Sequence, residues 1–178
     1  MNLFDKEIYT IKDIQYLIDN GVEESIHLDF KAAGALAKDD KKKNEIAKDV
    51  SAFANSDGGI IIYGISEIGH KADSYSFVDG DIFTKEWLEQ IINSNIQKRI
   101  NNIRIIPLRQ DGDIKRTVYI VKIPRSNNAP HMSGDKRYYK RYNFQSVMME
   151  EYEVRDLFHR HNTSTLSIVD WFLFDNGE

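Results

Sequence analysis

Glu24, Asp29 and Lys31 stand within the octet ESIHLDFK, and a further carboxylate, Glu67, stands in YGISEIG. Three carboxylates and a lysine suit phosphodiester chemistry. Hard divalent cations such as Mg2+ and Mn2+ prefer oxygen ligands. A cation held by Glu24, Asp29 and Glu67 would acidify a water and neutralise phosphate charge, and Lys31 would stabilise the negative charge that develops. The same residues also read as a solvated strand face, because a motif acquires chemical meaning only from its structural context. His27 alternates onto the face of Asp29, where it could ligate or relay a proton, whereas His70, His131, His159 and His161 show no ligand spacing. No serine sits in a nucleophile elbow and no Walker-type phosphate loop is present. The chain has no cysteine, which excludes disulfides and thiolate metal sites.

These side chains need elements to position them. SIHLDFK alternates Ile26, Leu28 and Phe30 against Ser25, His27, Asp29 and Lys31, which predicts a half-buried strand with Asp29 and Lys31 on one face. TIKDIQYLIDNG predicts a short helix, with Thr10 as cap and Asp13 three residues on. A second helix is expected from about residue 41 to 55, with Asp39 or Asp40 as cap and an apolar stripe of Ile46, Val50, Phe53 and Ala54. NSDGGIIIYGI predicts a turn through Gly58 and Gly59, then a central strand buried on both faces and ending near Ile65. Glu24 before the first strand, Asp29 on it and Glu67 after the central strand could then converge. A helix over about 84–100 follows, then a hairpin turning at Asp111-Gly112 with Pro107 at an edge or bulge. KRYYKRY reads as a strand and MEEYEVRDLFHRH as a closing helix. The order α-β-α-β-α-β-β-β-α predicts an α+β fold, a mixed central sheet flanked by helices.

The 178 residues fit one domain over residues 1–161. Residues 162–178 form an apolar extension with Leu166, Ile168, Val169, Trp171, Phe172, Leu173 and Phe174, whose cover would come from core packing, a dimer contact or a further module. A net charge of −4 exerts no general pull on nucleic acid. Two stretches are locally basic. In KDDKKKNEIAKD acids dilute the lysines. In DKRYYKRY, Arg137, Lys140 and Arg141 interleave with tyrosines including Tyr139, a mixture that suits phosphates and bases, or else makes one solvated strand face. No apolar run reaches the roughly 20 residues of a membrane span, and the N-terminus lacks a basic start and apolar stretch. A cytoplasmic protein without a membrane partner is expected.

ESIHLDFK, then EIAKDVSAFANSDGGIIIYGISEIG, then VYIVKIPRSNNAPHMSGDKRYYKRYNFQSV resemble, in that order, the AlbA-like nucleic-acid-binding domain of the Schlafen family and its bacterial relatives. The resemblance spans about Gly21 to His161, and SAFANSDGG before an apolar strand and Gly64 is its most specific element. It implies an α+β fold and nucleic-acid binding. For the nuclease members it also implies Mg2+- or Mn2+-dependent cleavage of structured RNA, with transfer RNA a typical substrate. The family's active-site positions fall on Glu24, Asp29, Lys31 and Glu67, the three acids as metal ligands. Asp29 stands where glutamate is usual and Glu67 where aspartate is usual, so each carboxylate is displaced by one methylene. Arg137, Tyr139, Lys140 and Arg141 become the expected groove lining. The expected function is a metal-dependent endoribonuclease, for which phage defence or toxin action would be a fitting setting. The alternative is a non-catalytic DNA- or RNA-binding module or regulator. Since the Schlafen core pairs two such lobes, a single lobe would homodimerise to build a comparable groove.

Overall fold

The computed structural model describes Leu3 and residues 6–160. The expected apolar extension over 162–178 lies outside them. In chain order the elements are α1 (Ile11–Asp19), β1 (Leu28–Lys31), α2 (Asp40–Asn55), β2 (Gly58–Tyr63), β3 (Ile65–Ile68), β4 (Lys71–Tyr75), α3 (Lys85–Asn95), β5 (Ile96–Gln97), β6 (Arg104–Arg109), β7 (Thr117–Pro124), β8 (Met132–Ser133), β9 (Tyr139–Tyr142), β10 (Gln145–Met148) and α4 (Glu151–Arg160). The helix signals act where the sequence puts them. Asp13 Oδ2 accepts from the Thr10 N–H at 2.7 Å, and Asp39 caps α2 by accepting from the Lys42 N–H at 2.9 Å.

The central sheet has the order β1-β2-β7-β6, with β1 parallel to β2 and the other pairs antiparallel, so the expected mixed sheet of an α+β fold is present. Every residue of β2 is buried. Its alternation serves two cores. Ile61 and Tyr63 pack with Val50, Phe53 and Ala54 of α2 and Leu88, Ile91 and Ile92 of α3, while Ile60 and Ile62 pack with Phe30 and with Ile14 and Leu17 of α1. A strand buried on both faces reads as an unbroken apolar run for this reason. Pro107 lies on β6, an edge strand, where a missing N–H disturbs the ladder least.

Two findings depart from the expected order. The first strand begins at Leu28, because Ser25 and Leu28 close a tight turn that ends the alternation. His27 is therefore not on the face of Asp29; it sits exposed in that turn, with Nδ1 3.0 Å from the Gly58 carbonyl. The second is a pair of polar two-stranded ribbons outside the central sheet, β3–β4 and β9–β10, of which only the Tyr139–Tyr142 strand was expected. These ribbons carry little apolar alternation, so period-two patterning does not mark them.

SAFANSDGG is the junction that ties these parts together. Asn55, at the end of α2, donates to the carbonyls of His131 and Tyr139 at 2.9 Å each and accepts from the His131 N–H at 2.7 Å. Ser56 Oγ accepts from the Arg141 N–H at 2.9 Å. Asn55→Ala strands three buried peptide groups. The expected loss is about 2–3 kcal/mol, read as a fall in melting temperature of about 4–12 °C; an unchanged melt would show the clamp to be idle.

Candidate functional site

Four segments supply the site. The edge strand β1 directs Phe30 into the α1-side core, so Asp29 and Lys31 face the α2 side, opposite Ile61 and Tyr63 in register. The turn before β1 brings Glu24 back over it. Glu24 is 6% exposed, its Oε1 accepts from the Phe30 N–H at 2.8 Å, and its own N–H donates to the His70 carbonyl at 2.7 Å. The β3–β4 ribbon turns through Gly69 and His70, both at positive φ (57° and 63°), the signature of a type I′ turn. That turn presents His70 to the acids. Its Nδ1 lies 2.9 Å from Glu24 Oε2, and its N–H donates to Glu67 Oε2 at 2.6 Å. The β9–β10 ribbon closes the site from the other side, and its tip stacks Phe144 on His70 at 4.5 Å.

One ligand atom each from Glu24, Glu67 and His70 lies within 4.8 Å of the others, with Glu24 buried at the base and the other two at the rim. Two carboxylate oxygens and an imidazole nitrogen form a donor set that suits a borderline-to-hard divalent ion, manganese more readily than magnesium. The residues present therefore fit a metal. His70, judged from spacing to be no ligand, belongs to this cluster. The readable signal was the two-residue Gly-His turn in SEIGHKADSY.

Asp29 takes a different position. It is 1% exposed, and Oδ2 lies 2.8 Å from Lys31 Nζ and 3.8 Å from Arg141 Nη1. Burial pushes its carboxyl up to about 6, opposed by the charge of Lys31 and helped upward by a hydrogen bond with Glu24. Lys31 is held between Asp29 and Asp49, the latter 3.8 Å away on α2. Burial works against the ammonium, yet these carboxylates raise its pKa above the ordinary lysine value. Asp49 was not singled out in the sequence. It is buried, and burial raises its pKa.

The KRYYKRY residues divide. Arg137 is exposed. Lys140 is ion-paired with Glu153 of α4. Tyr139 is buried, its hydroxyl donating to Asp135 at 2.5 Å. Arg141 turns inward, its guanidinium 4.4 Å over the Phe53 ring and donating to the Ser25 carbonyl at 3.2 Å. Tyr139 and Arg141 are both buried and engage protein groups, so neither projects outward from the strand. Tyr142, 63% exposed, is the tyrosine of this strand that faces out.

A family model described as Schlafen, AlbA_2 matches residues 24–150. A comparison with curated proteins gave no match. Among solved structures, the DIP2311 protein from Corynebacterium diphtheriae aligns with a TM-score of 0.55 and 15% identity, covering 82% of this chain and 31% of that one. The chain thus spans about a third of that protein's length. The N-terminal domain of a RecG-related protein from Nitrosomonas europaea, named for ATP-dependent DNA helicase, aligns with a TM-score of 0.50 and 18% identity, covering 81% of this chain and 94% of that domain. At these identities the likeness is one of fold. Among the described residues no helix is long and apolar enough to cross a membrane.

Proposed function

Because the chain belongs to the Schlafen AlbA_2 domain family, we propose that it is a divalent-metal-dependent endoribonuclease cleaving transfer RNA or a similar structured RNA. The observation that carries this reading is the convergence of Glu24, Glu67 and His70 beside the Asp29–Lys31 pair. Glu24 and Glu67 would hold Mn2+ or Mg2+, with His70 as a third donor and Asp29 reaching the ion through its contact with Glu24. Bound there, the ion supplies charge neutralisation at the phosphate and a more acidic water. Lys31, kept protonated by its two aspartates, stabilises charge on the scissile phosphate. Phe144 packs on the imidazole and restrains its orientation, as outer contacts of a metal ligand do. Arg137, Lys140 and Tyr142 supply outward contacts to the RNA. The fold shared with a domain of a protein named for helicase activity supports a nucleic-acid role. A second copy of the chain would complete a two-lobed groove, and cytoplasmic action on cellular RNA, in phage defence or as a toxin, is the setting this reading favours.

One observation favours the non-catalytic reading, a DNA- or RNA-binding module or regulator. Asp29, a ligand in the expected set, is already engaged by Lys31 and Arg141. Incubating the protein with total transfer RNA in Mn2+, Mg2+ or EDTA separates the two. Discrete fragments that require metal are expected. Intact RNA in every lane, with a shift in a binding assay, would transfer the function to binding alone.

The role of His70 has its own readout. Removing one neutral donor from a carboxylate-based site weakens metal affinity without removing the site. His70→Ala is expected to raise the Mn2+ concentration for half-maximal cleavage about 10-fold, with less effect at saturating Mn2+. A loss at all Mn2+ concentrations would instead make His70 a proton donor or acceptor.

A further inference from the structure

Two clefts flank Arg141, and their charges differ. The cleft on the α4 side, about 360 Å3, is lined by Lys140 and Arg141 but also by Asp57, Glu153 and Asp156. The cleft on the α2 side, about 390 Å3, is lined by Lys31, Lys42, Lys48 and Arg141 against Glu45 and Asp49. Its remaining wall is Ala35 and the β9–β10 tip, with Phe144, Gln145 and Ser146. In a chain of net charge −4, an excess of cations around one concavity is a local feature of the fold rather than of composition. Both acids of this wall face lysines: Glu45 lies 2.7 Å from Lys42, and Asp49 lies 3.8 Å from both Lys31 and Lys48.

We infer that this α2-side cleft binds the nucleotide next to the scissile bond, with its phosphate on Lys42 and Lys48 and its base against Phe144 and Gln145. The inference rests on the nuclease reading above and adds to it the subsite that sets strand position. Four facts carry it. The cleft opens at Lys31, the group placed on the scissile phosphate, so an adjacent nucleotide has only to continue along the α2 face. Its volume is that of a small-ligand site rather than of a protein groove. Lys42 and Lys48 are about one-third exposed, so an incoming phosphate can reach their ammonium groups and displace the surface pair with Glu45. Phe144, one face of which is taken by His70, leaves its other face for a base to stack on, and Gln145 offers an amide for a base edge. The ligand class is single-stranded or splayed-out RNA, because a base held in such a cleft cannot be stacked in a duplex.

The test is K42Q/K48Q, which keeps helix propensity and leaves Lys31 and the acids untouched. Cleavage of a short single-stranded RNA should show KM raised about 10-fold with kcat within about 2-fold. The salt dependence of binding should fall by about 0.7 in log–log slope, the share of one phosphate on a single strand. Replacing the neighbouring phosphate with an uncharged methylphosphonate should weaken binding to the wild type and leave K42Q/K48Q unmoved. A wild type indifferent to that replacement, or a double variant with unchanged KM and salt slope, overturns the cleft assignment while the nuclease reading stands. A wild type that neither cleaves nor binds RNA overturns both.

Discussion

If the chain is the proposed nuclease, Glu24→Gln and Glu67→Gln are each expected to lower metal-dependent cleavage by about 100-fold or more in kcat, while RNA binding in EDTA should stay close to that of the wild type. The glutamine variants separate charge from architecture. Glu24 does two jobs: its carboxylate caps the Phe30 N–H of an edge strand and faces His70. A glutamine carbonyl can still accept from Phe30, so the turn before β1 holds, but the charge that attracts a cation is gone. Glu67 accepts the His70 N–H at the ribbon turn, and its amide analogue can do the same. A metal that binds only the folded chain stabilises it by mass action. Mn2+ should therefore raise the melting temperature of the wild type and shift either variant much less. Full cleavage in both glutamine variants would remove the metal site from the mechanism. Lost cleavage with an unaltered Mn2+-induced shift would keep the metal and reassign the carboxylates.

Gly58→Ala costs about 4 kcal/mol, the sum of a left-handed backbone that an L residue resists and a Cβ forced into a filled space. Gly58 has φ +74°, and an added Cβ would lie 2.5 Å from the Arg125 nitrogen, 2.7 Å from the Ile123 oxygen and 2.9 Å from the Pro124 carbonyl carbon. All three are backbone atoms of β7 or the residue after it, paired across the sheet with Gly58 and Gly59, so none can rotate away. The reduced freedom of the unfolded alanine chain returns at most about 1 kcal/mol. The net of about 3–4 kcal/mol should lower the melting temperature by about 6–16 °C at this chain length. Gly34→Ala is the control. It has ordinary φ and nothing within 4 Å of the new methyl, so its melt should match the wild type or exceed it slightly. Equal melts for the two variants would mean that the α2–β2 junction adjusts more freely than its contacts suggest.

Gly58 also shows how legible the chain was. A Gly-Gly pair after a helix and before an apolar run signals a turn; the turn falls one step earlier, at Ser56-Asp57, and the two glycines open β2, paired with Pro124 and Ile123. The two-faced burial of β2, the caps of α1 and α2, the Asp111-Gly112 hairpin and Pro107 at an edge could be read for the same reason. Each follows from the backbone geometry of a few neighbouring residues, whose periods of 2 and 3.6 are written directly into residue order. Asp29 and Lys31 on one face of β1 is likewise a local statement, and holds.

The site needed more than neighbours. His70 meets Glu24 across 46 residues, and Arg141 meets Ser25 across 116, separations at which no periodicity carries information. Arg141 looked like a phosphate contact because a basic strand alternating with tyrosines has one outward face. The β9–β10 ribbon packs on α2 and turns that face inward, where the guanidinium finds Asp29 and the Phe53 ring. Lys42 and Lys48 looked diluted by acids in KDDKKKNEIAKD. The helix redistributes them, setting both beside Lys31 at one cleft. Sequence alone determined the helices, the strands of the central sheet and the strand face that bears the first acid and lysine, because those depend on local stereochemistry. Tertiary structure alone decided which charges share a site, because that depends on how ribbons and helices pack over the sheet.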